Sequence, residues 1–147
     1  MRPKKKFDPL PNEDHIIRYI SWSRLEKDEH NQVIGILPGA FQLRKATDEK
    51  ALSAGWCEYF NDTHARNIKM AMDTTLKSIT PSKTGFRFAV GKIKEIKRTC
   101  DKHKQKVRIV YEPLCDNPIH SSVILHETEN LDFLEELSSD SWSQLIY

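Results

Sequence analysis

Two rhythms of apolar residues run along the chain, one of short unbroken runs and one of three- and four-residue spacing. Ile16, Ile17 and Ile20, with Tyr19 among them, predict a buried strand from His15 to Ile20. Ser21-Trp22-Ser23-Arg24-Leu25 predicts a short helical turn capped by Ser21 or Ser23. Asp28 to Asn31 is a polar turn. Val33 to Leu37 and Ala40 to Leu43 are apolar runs divided by Pro38-Gly39, and both fit strands or edge segments better than helix. Ala51 to Phe60 follows with an aromatic cluster of Trp56, Tyr59 and Phe60. The longer rhythm begins beyond Asp62 and Thr63, either of which can cap a helix with apolar positions Ala65, Ile68, Ala71, Met72, Leu76 and Ile79. Pro81 should end it, having no backbone N–H to donate and a ring that clashes with the preceding turn.

Phe86 to Val90 predicts a further strand, after which Val90, Ile93, Ile96 or Lys97, and Cys100 trace one helical face with the lysines largely outside. Lys106 to Tyr111 reads as a strand, with Val107, Ile109 and Tyr111 alternating against Arg108 and Val110, and Ile119 to Leu125 as another. Asn130 to Leu145 predicts a terminal helix with Leu131, Leu134, Leu137 and Leu145 inward. The expected class is α+β: a single two-layer domain with a mixed or mainly antiparallel sheet and about three principal helices. Residues 1–13 read as a basic, Pro-containing N-terminal arm and 14–147 as the compact domain. A chain of 147 residues, 38% hydrophobic and 30% charged, supplies one core rather than two.

Charge changes the picture through its distribution more than through the net value of +2. Between Lys92 and Arg108 eight basic residues face two acidic ones, whereas from Glu112 to Tyr147 there are eight acidic residues and no Lys or Arg. Lys94, Lys97 and Arg98 are the centre of this basic stretch and the candidate contacts to nucleic acid or phosphate. The competing reading is a solvated face that the acidic end partly compensates. Cys57, Cys100 and Cys115 are too few and too separated for a disulfide scaffold, and no CxxC pair offers a redox or zinc centre. The first residues are charged without a secretory apolar stretch, and no run of 18 apolar residues suggests a membrane span, so a cytoplasmic location is expected.

Candidate chemistry gathers in Asp14-His15-Ile16-Ile17-Arg18-Tyr19 and Asn117-Pro118-Ile119-His120-Ser121. If the fold joins them, His15, Arg18, Tyr19, His120 and Ser121 surround one cleft suited to catalysis or anion binding. Asp14 is a poor partner for the His15 ring, because neighbours on a strand point to opposite faces. Arg18 shares the face of Ile16 and Ile20, where a charge needs a carboxylate or a bound anion. Arg44 poses the same choice, and two guanidinium groups suit a phosphate. His120 is a candidate acid or base, but Ser121 beside it has no nucleophile elbow. No HxxxH, HExxH or Cys/His cluster signals a metal, and none is expected. Glu127 and Glu129 would share a strand face, a spacing found in some ADP-ribosyltransferases and in many solvated turns. In that enzyme reading Glu129 is the base or electrostatic group, and His15 or Arg18 holds the dinucleotide.

The chain also resembles a widespread group of uncharacterised bacterial proteins of about this length. The resemblance rests on Pro11 to Tyr19, on Ala40-Phe41-Gln42-Leu43-Arg44, on Leu52 to Phe60, and on Val107 to Tyr111 followed by His120-Ser121. Members of that group tend to carry Val and Leu where this chain has Ala54-Gly55 and Cys57. The expectation is therefore a small binding or accessory protein of a bacterial defence or nucleic-acid-processing system. Its partner would be a protein of the same operon, a nucleic acid or a phosphate ligand, with no membrane and no cofactor specified. The alternative is a nucleotide-binding enzyme, ADP-ribosyltransferase-like.

Overall fold

The structure, a computed structural model, describes residues 4–79, 84–126 and 128–147. The chain opens with strand β1 (His15–Ile20), then a hairpin of β2 (Leu25–Lys27) and β3 (Val33–Ile36). The turn between them is closed by Asp28, whose carboxylate accepts from the His30 and Gln32 amides at 2.8 and 2.9 Å. Next come β4 (Ala51–Trp56), helix α1 (His64–Ser78), β5 (Arg87–Lys92) and helix α2 (Ile93–Lys102). Strands β6 (Val107–Tyr111) and β7 (His120–Leu125), helix α3 (Leu131–Glu136) and β8 (Gln144–Ile146) complete the chain. Six strands form one sheet in the order β6-β7-β4-β1-β5-β8, every pair antiparallel. The α+β class with a mainly antiparallel sheet and three helices is as the sequence implied. Among the described residues, no helix is long and apolar enough to cross a membrane.

Alternation along β1 separates two apolar clusters. Ile17 joins Phe88 and Val90 beneath Ala71, Ile68, Met72 and Leu76 of α1. Ile16 and Ile20 point the other way, into the larger cluster with Ile93, Ile96 and Cys100 of α2 and Phe133 and Leu134 of α3. Thr63 caps α1, its hydroxyl accepting from the Arg66 amide at 3.3 Å. Residues 7–10 run beside β6: the Phe7 and Leu10 amides donate to Tyr111 and Ile109 carbonyls at 2.6 and 3.0 Å, and Leu10 is 2% exposed.

Two segments differ from the sequence pattern. Residues 38–41 form a 3-10 turn that takes in Ala40 and Phe41, the start of the run from Ala40 to Leu43 expected as a strand or edge segment: Pro38 sits at its start, and Phe41 is wholly buried against Trp142 at a ring separation of 4.8 Å. The terminal helix is much shorter than Asn130 to Leu145. It passes into a π-helical turn over Leu137–Ser141, and Leu145 then pairs with Ala89 in the sheet. Ser138 and Ser139 hydroxyls both bond the Glu135 carbonyl, offering the backbone a local competitor to helix. Leu131 is 58% exposed instead of inward. The indole of Trp142 lies on Gly91, where an added Cβ would stand 2.7 Å from the ring, so only glycine admits the tryptophan.

Candidate functional site

β1 and β4 are neighbours for only two residue pairs, Ile16 with Trp56 and Ile17 with Gly55. Beyond them the strands part, β1 staying with β5 as far as Ile20 and β4 staying with β7 as far as Ala51. The Arg18 guanidinium occupies the split. Its Nε donates to the Ala40 carbonyl at 3.1 Å, and a terminal nitrogen donates to the Ser53 carbonyl at 2.8 Å. Among the described residues no carboxylate forms an ion pair with it. Burial pulls its pKa down to about 10, with Glu49 opposing and Arg44 and Arg24 reinforcing the shift, so it stays charged at neutral pH.

The split opens into a cavity of about 340 Å³, within the range that takes a small molecule. Arg18, Tyr19, Arg44, Ser53, Asn117 and His120 line it, with Thr75 from α1 and an exposed Asp116 at the 114–117 turn. Thr75 Oγ1 is buried there with no hydrogen-bond partner among the described residues. Register explains how Ser53 and His120 meet. Ser53 pairs with Ser122 and Gly55 with His120, so Ser53 and His120 are diagonal neighbours on the α1 side of the sheet. Ser53 Oγ lies 2.7 Å from His120 Nε2, and His120 Nδ1 lies 2.8 Å from the Glu112 carbonyl. A carbonyl only accepts, so Nδ1 carries a proton; in the neutral ring Nε2 is then the acceptor and the Ser53 hydroxyl donates.

Of the residues singled out by sequence, Arg18, Tyr19, Arg44 and His120 share this cavity. His15 does not, because it stands at the opposite end of β1. Its backbone N–H and Nδ1 bind the two oxygens of Glu58, both at 2.7 Å, and its ring lies 4.5 Å from that of His64. One ligand atom from each of His15, Glu58 and His64 falls within 4.8 Å of the others, a nitrogen and oxygen set of the kind a transition metal takes. Ser121 is fully buried, its hydroxyl donating to the Ile119 carbonyl at 3.1 Å. Glu129 lies outside the cleft in an ion pair with Lys45, and Glu127 lies outside the described residues. On α2, Lys97 donates to Asn12 at 2.7 Å, Arg98 pairs with Glu95 at 2.7 Å and Lys94 lies 3.9 Å from Glu13, so part of the basic face is compensated within the chain.

Ser53, Glu58 and His64 escaped the sequence reading. Ser53 and His120 are 67 residues apart, and His15 and Glu58 are 43 apart. Only sheet register and the 3-10 turn over Cys57–Phe60 bring them together. Burial pushes the Cys57 thiol up and the Cys100 thiol to about 12, leaving both inert as nucleophiles.

Asp14 turns to the Trp56 indole, which donates to it at 2.9 Å. Burial raises its carboxyl above the usual range, the Trp56 bond opposes that, and Glu58 adds to it. A raised acid holds its proton longer in the folded state, so this group's contribution falls as pH climbs from the unfolded carboxyl range through the folded value. Asp14→Asn, whose amide oxygen can still accept from Trp56, is expected to raise Tm at neutral pH by roughly 2 °C and to leave it near the wild-type value in acid, so the gap between the two proteins widens as pH climbs. Thermal scans across acidic and neutral buffers check this; an unchanged slope would refute it.

No family model, curated protein or solved structure matches the chain.

Proposed function

We propose that the cleft between β1 and β4 binds a small anion bearing a phosphate or carboxylate group, and that the chain acts as a ligand-binding or accessory protein. The observation that carries this reading is Arg18: a half-buried guanidinium with two carbonyl acceptors and no carboxylate partner among the described residues, on the wall of a cavity of ligand size. A desolvated charge of this kind is stabilised most by an anion that takes its remaining N–H groups. Arg44 adds a second guanidinium, 73% exposed and only 3.8 Å from Glu49 at its nearest, so it can swing toward a ligand. Asp116 on the lining sets a limit on the net positive charge of the cleft. Glu129 plays no part in this reading.

Calorimetric titration with inorganic pyrophosphate tests it. Arg44→Ala is expected to weaken binding about tenfold with Tm unchanged, since one charge-assisted contact is lost and no buried bond is broken. Added salt should weaken binding in the wild type. Absence of binding to pyrophosphate, inorganic phosphate and citrate alike, or an Arg44→Ala protein that binds as well as wild type, would defeat the proposal.

A further inference from the structure

We propose that Ser53 is a nucleophile for acyl transfer, with His120 as its general base. The substrate class, a small ester carrying a phosphate or carboxylate group, rests on the anion-binding reading of the same cleft. Ser–His hydrogen bonds are common on protein surfaces, and three features set this one apart. The third partner, the Glu112 carbonyl, selects the tautomer in which the Nε2 lone pair faces the hydroxyl. Ser53 is accessible in a cavity large enough for a ligand rather than on an open face. Its main chain is fixed on both sides, by pairing with β7 and by the Arg18 bond to its carbonyl, so the hydroxyl is held in place before a ligand arrives.

The chemistry closes without an added reactant other than water. Ser53 Oγ attacks the ester carbonyl carbon while its proton passes to His120 Nε2. The carbon–oxygen bond to the leaving alcohol then breaks, and the imidazolium returns that proton to the departing oxygen. Water repeats the sequence on the acyl-Ser53 ester, giving up a proton to His120 and releasing the acid, after which the proton returns to Ser53 Oγ. The remaining N–H groups of Arg18 hold the substrate's anionic group, which leaves the Asn117 amide on the cavity wall as the donor for the developing oxyanion. A carbonyl in the third position stabilises the imidazolium less than a carboxylate does, so turnover should be slow.

A short-chain alkyl fluorophosphonate reads the nucleophile directly. Ser53 Oγ bonds to phosphorus, fluoride leaves and the hydroxyl proton goes to His120. Intact mass and peptide mapping of the wild-type protein should show one adduct, on Ser53, forming at a rate that rises with pH through one ionisation. His120→Gln should slow labelling by at least about 100-fold. Ser53→Ala should take no adduct. A label on Ser121, Ser122 or Tyr19 instead, or no adduct on wild-type Ser53, overturns the proposal. Pyrophosphate titration of the same wild-type sample separates the two claims. Heat without an adduct leaves an anion cleft and no nucleophile, whereas an adduct without heat keeps the nucleophile and removes the anionic substrate class.

Discussion

Arg18→Met is expected to abolish pyrophosphate binding, with affinity falling at least about 100-fold, and to lower stability by about 2 kcal/mol, or roughly 5 °C in Tm. The binding loss follows from removing the half-buried cation that two carbonyls hold in the cleft. The stability change is a difference between opposing effects. Two charge-assisted bonds, to Ala40 and Ser53, contribute about 2 kcal/mol each, and losing them leaves one carbonyl on each side of the split without its donor. Against this, a guanidinium held to a pKa of about 10 carries a desolvation cost of roughly 3 kcal/mol that methionine does not. The lost bonds and orphaned carbonyls outweigh the relieved desolvation by a small margin. Arg18→Lys keeps a charge but cannot fork to both carbonyls, and should fall between the two in thermal scans and in titration. A methionine variant that binds pyrophosphate normally would remove Arg18 from the site.

Trp142→Ala should be the more damaging change to the fold, costing about 3–5 kcal/mol and roughly 10 °C or more in Tm. Trp142 is fully buried, packs against Phe41 with the rings tilted by 32° and donates its indole N–H to the Ala89 carbonyl at 3.1 Å. The alanine removes the ring from a cavity walled by Gly91, Ile96 and Phe41, which cannot collapse without moving β5 against the 3-10 turn. The effect should reach the cleft, because that turn supplies the Ala40 carbonyl that holds Arg18. Trp142→Phe keeps most of the ring and loses only the indole bond, so its cost should be about 1–2 kcal/mol. Equilibrium denaturation of both variants checks the order; an alanine variant as stable as the phenylalanine one would contradict it.

How much of this was legible in the sequence depends on how local each feature is. Helix α1 was, because Thr63, Ala71 and Ile68 act within a few turns of one another. The isoleucines of β1 announced a strand buried on both faces. Arg18 could be flagged as a charge on an apolar face, but not its acceptors, which lie 22 and 35 residues away on two other elements. The terminal helix was overread because Leu134 and Leu137 carry helical spacing into a serine-rich stretch where tertiary pairing with β5 wins. The relay at Ser53 could not be foreseen at all: it depends on β4 and β7 sharing one register, and a slip by a single residue would turn Ser53 to the opposite face.

Neither rim of the six-stranded sheet offers a long row of unpaired backbone groups to another chain. Residues 7–10 already occupy the outer side of β6, and β8 at the opposite rim spans only three residues before Tyr147. Such blunted edges disfavour the edge-to-edge pairing that leads to aggregation. They also narrow how a protein partner can recruit this domain. Strand addition at β6 would first have to displace 7–10 and expose Leu10, so recognition falls to side chains, on the charged outer face of α2 or around the mouth of the cleft.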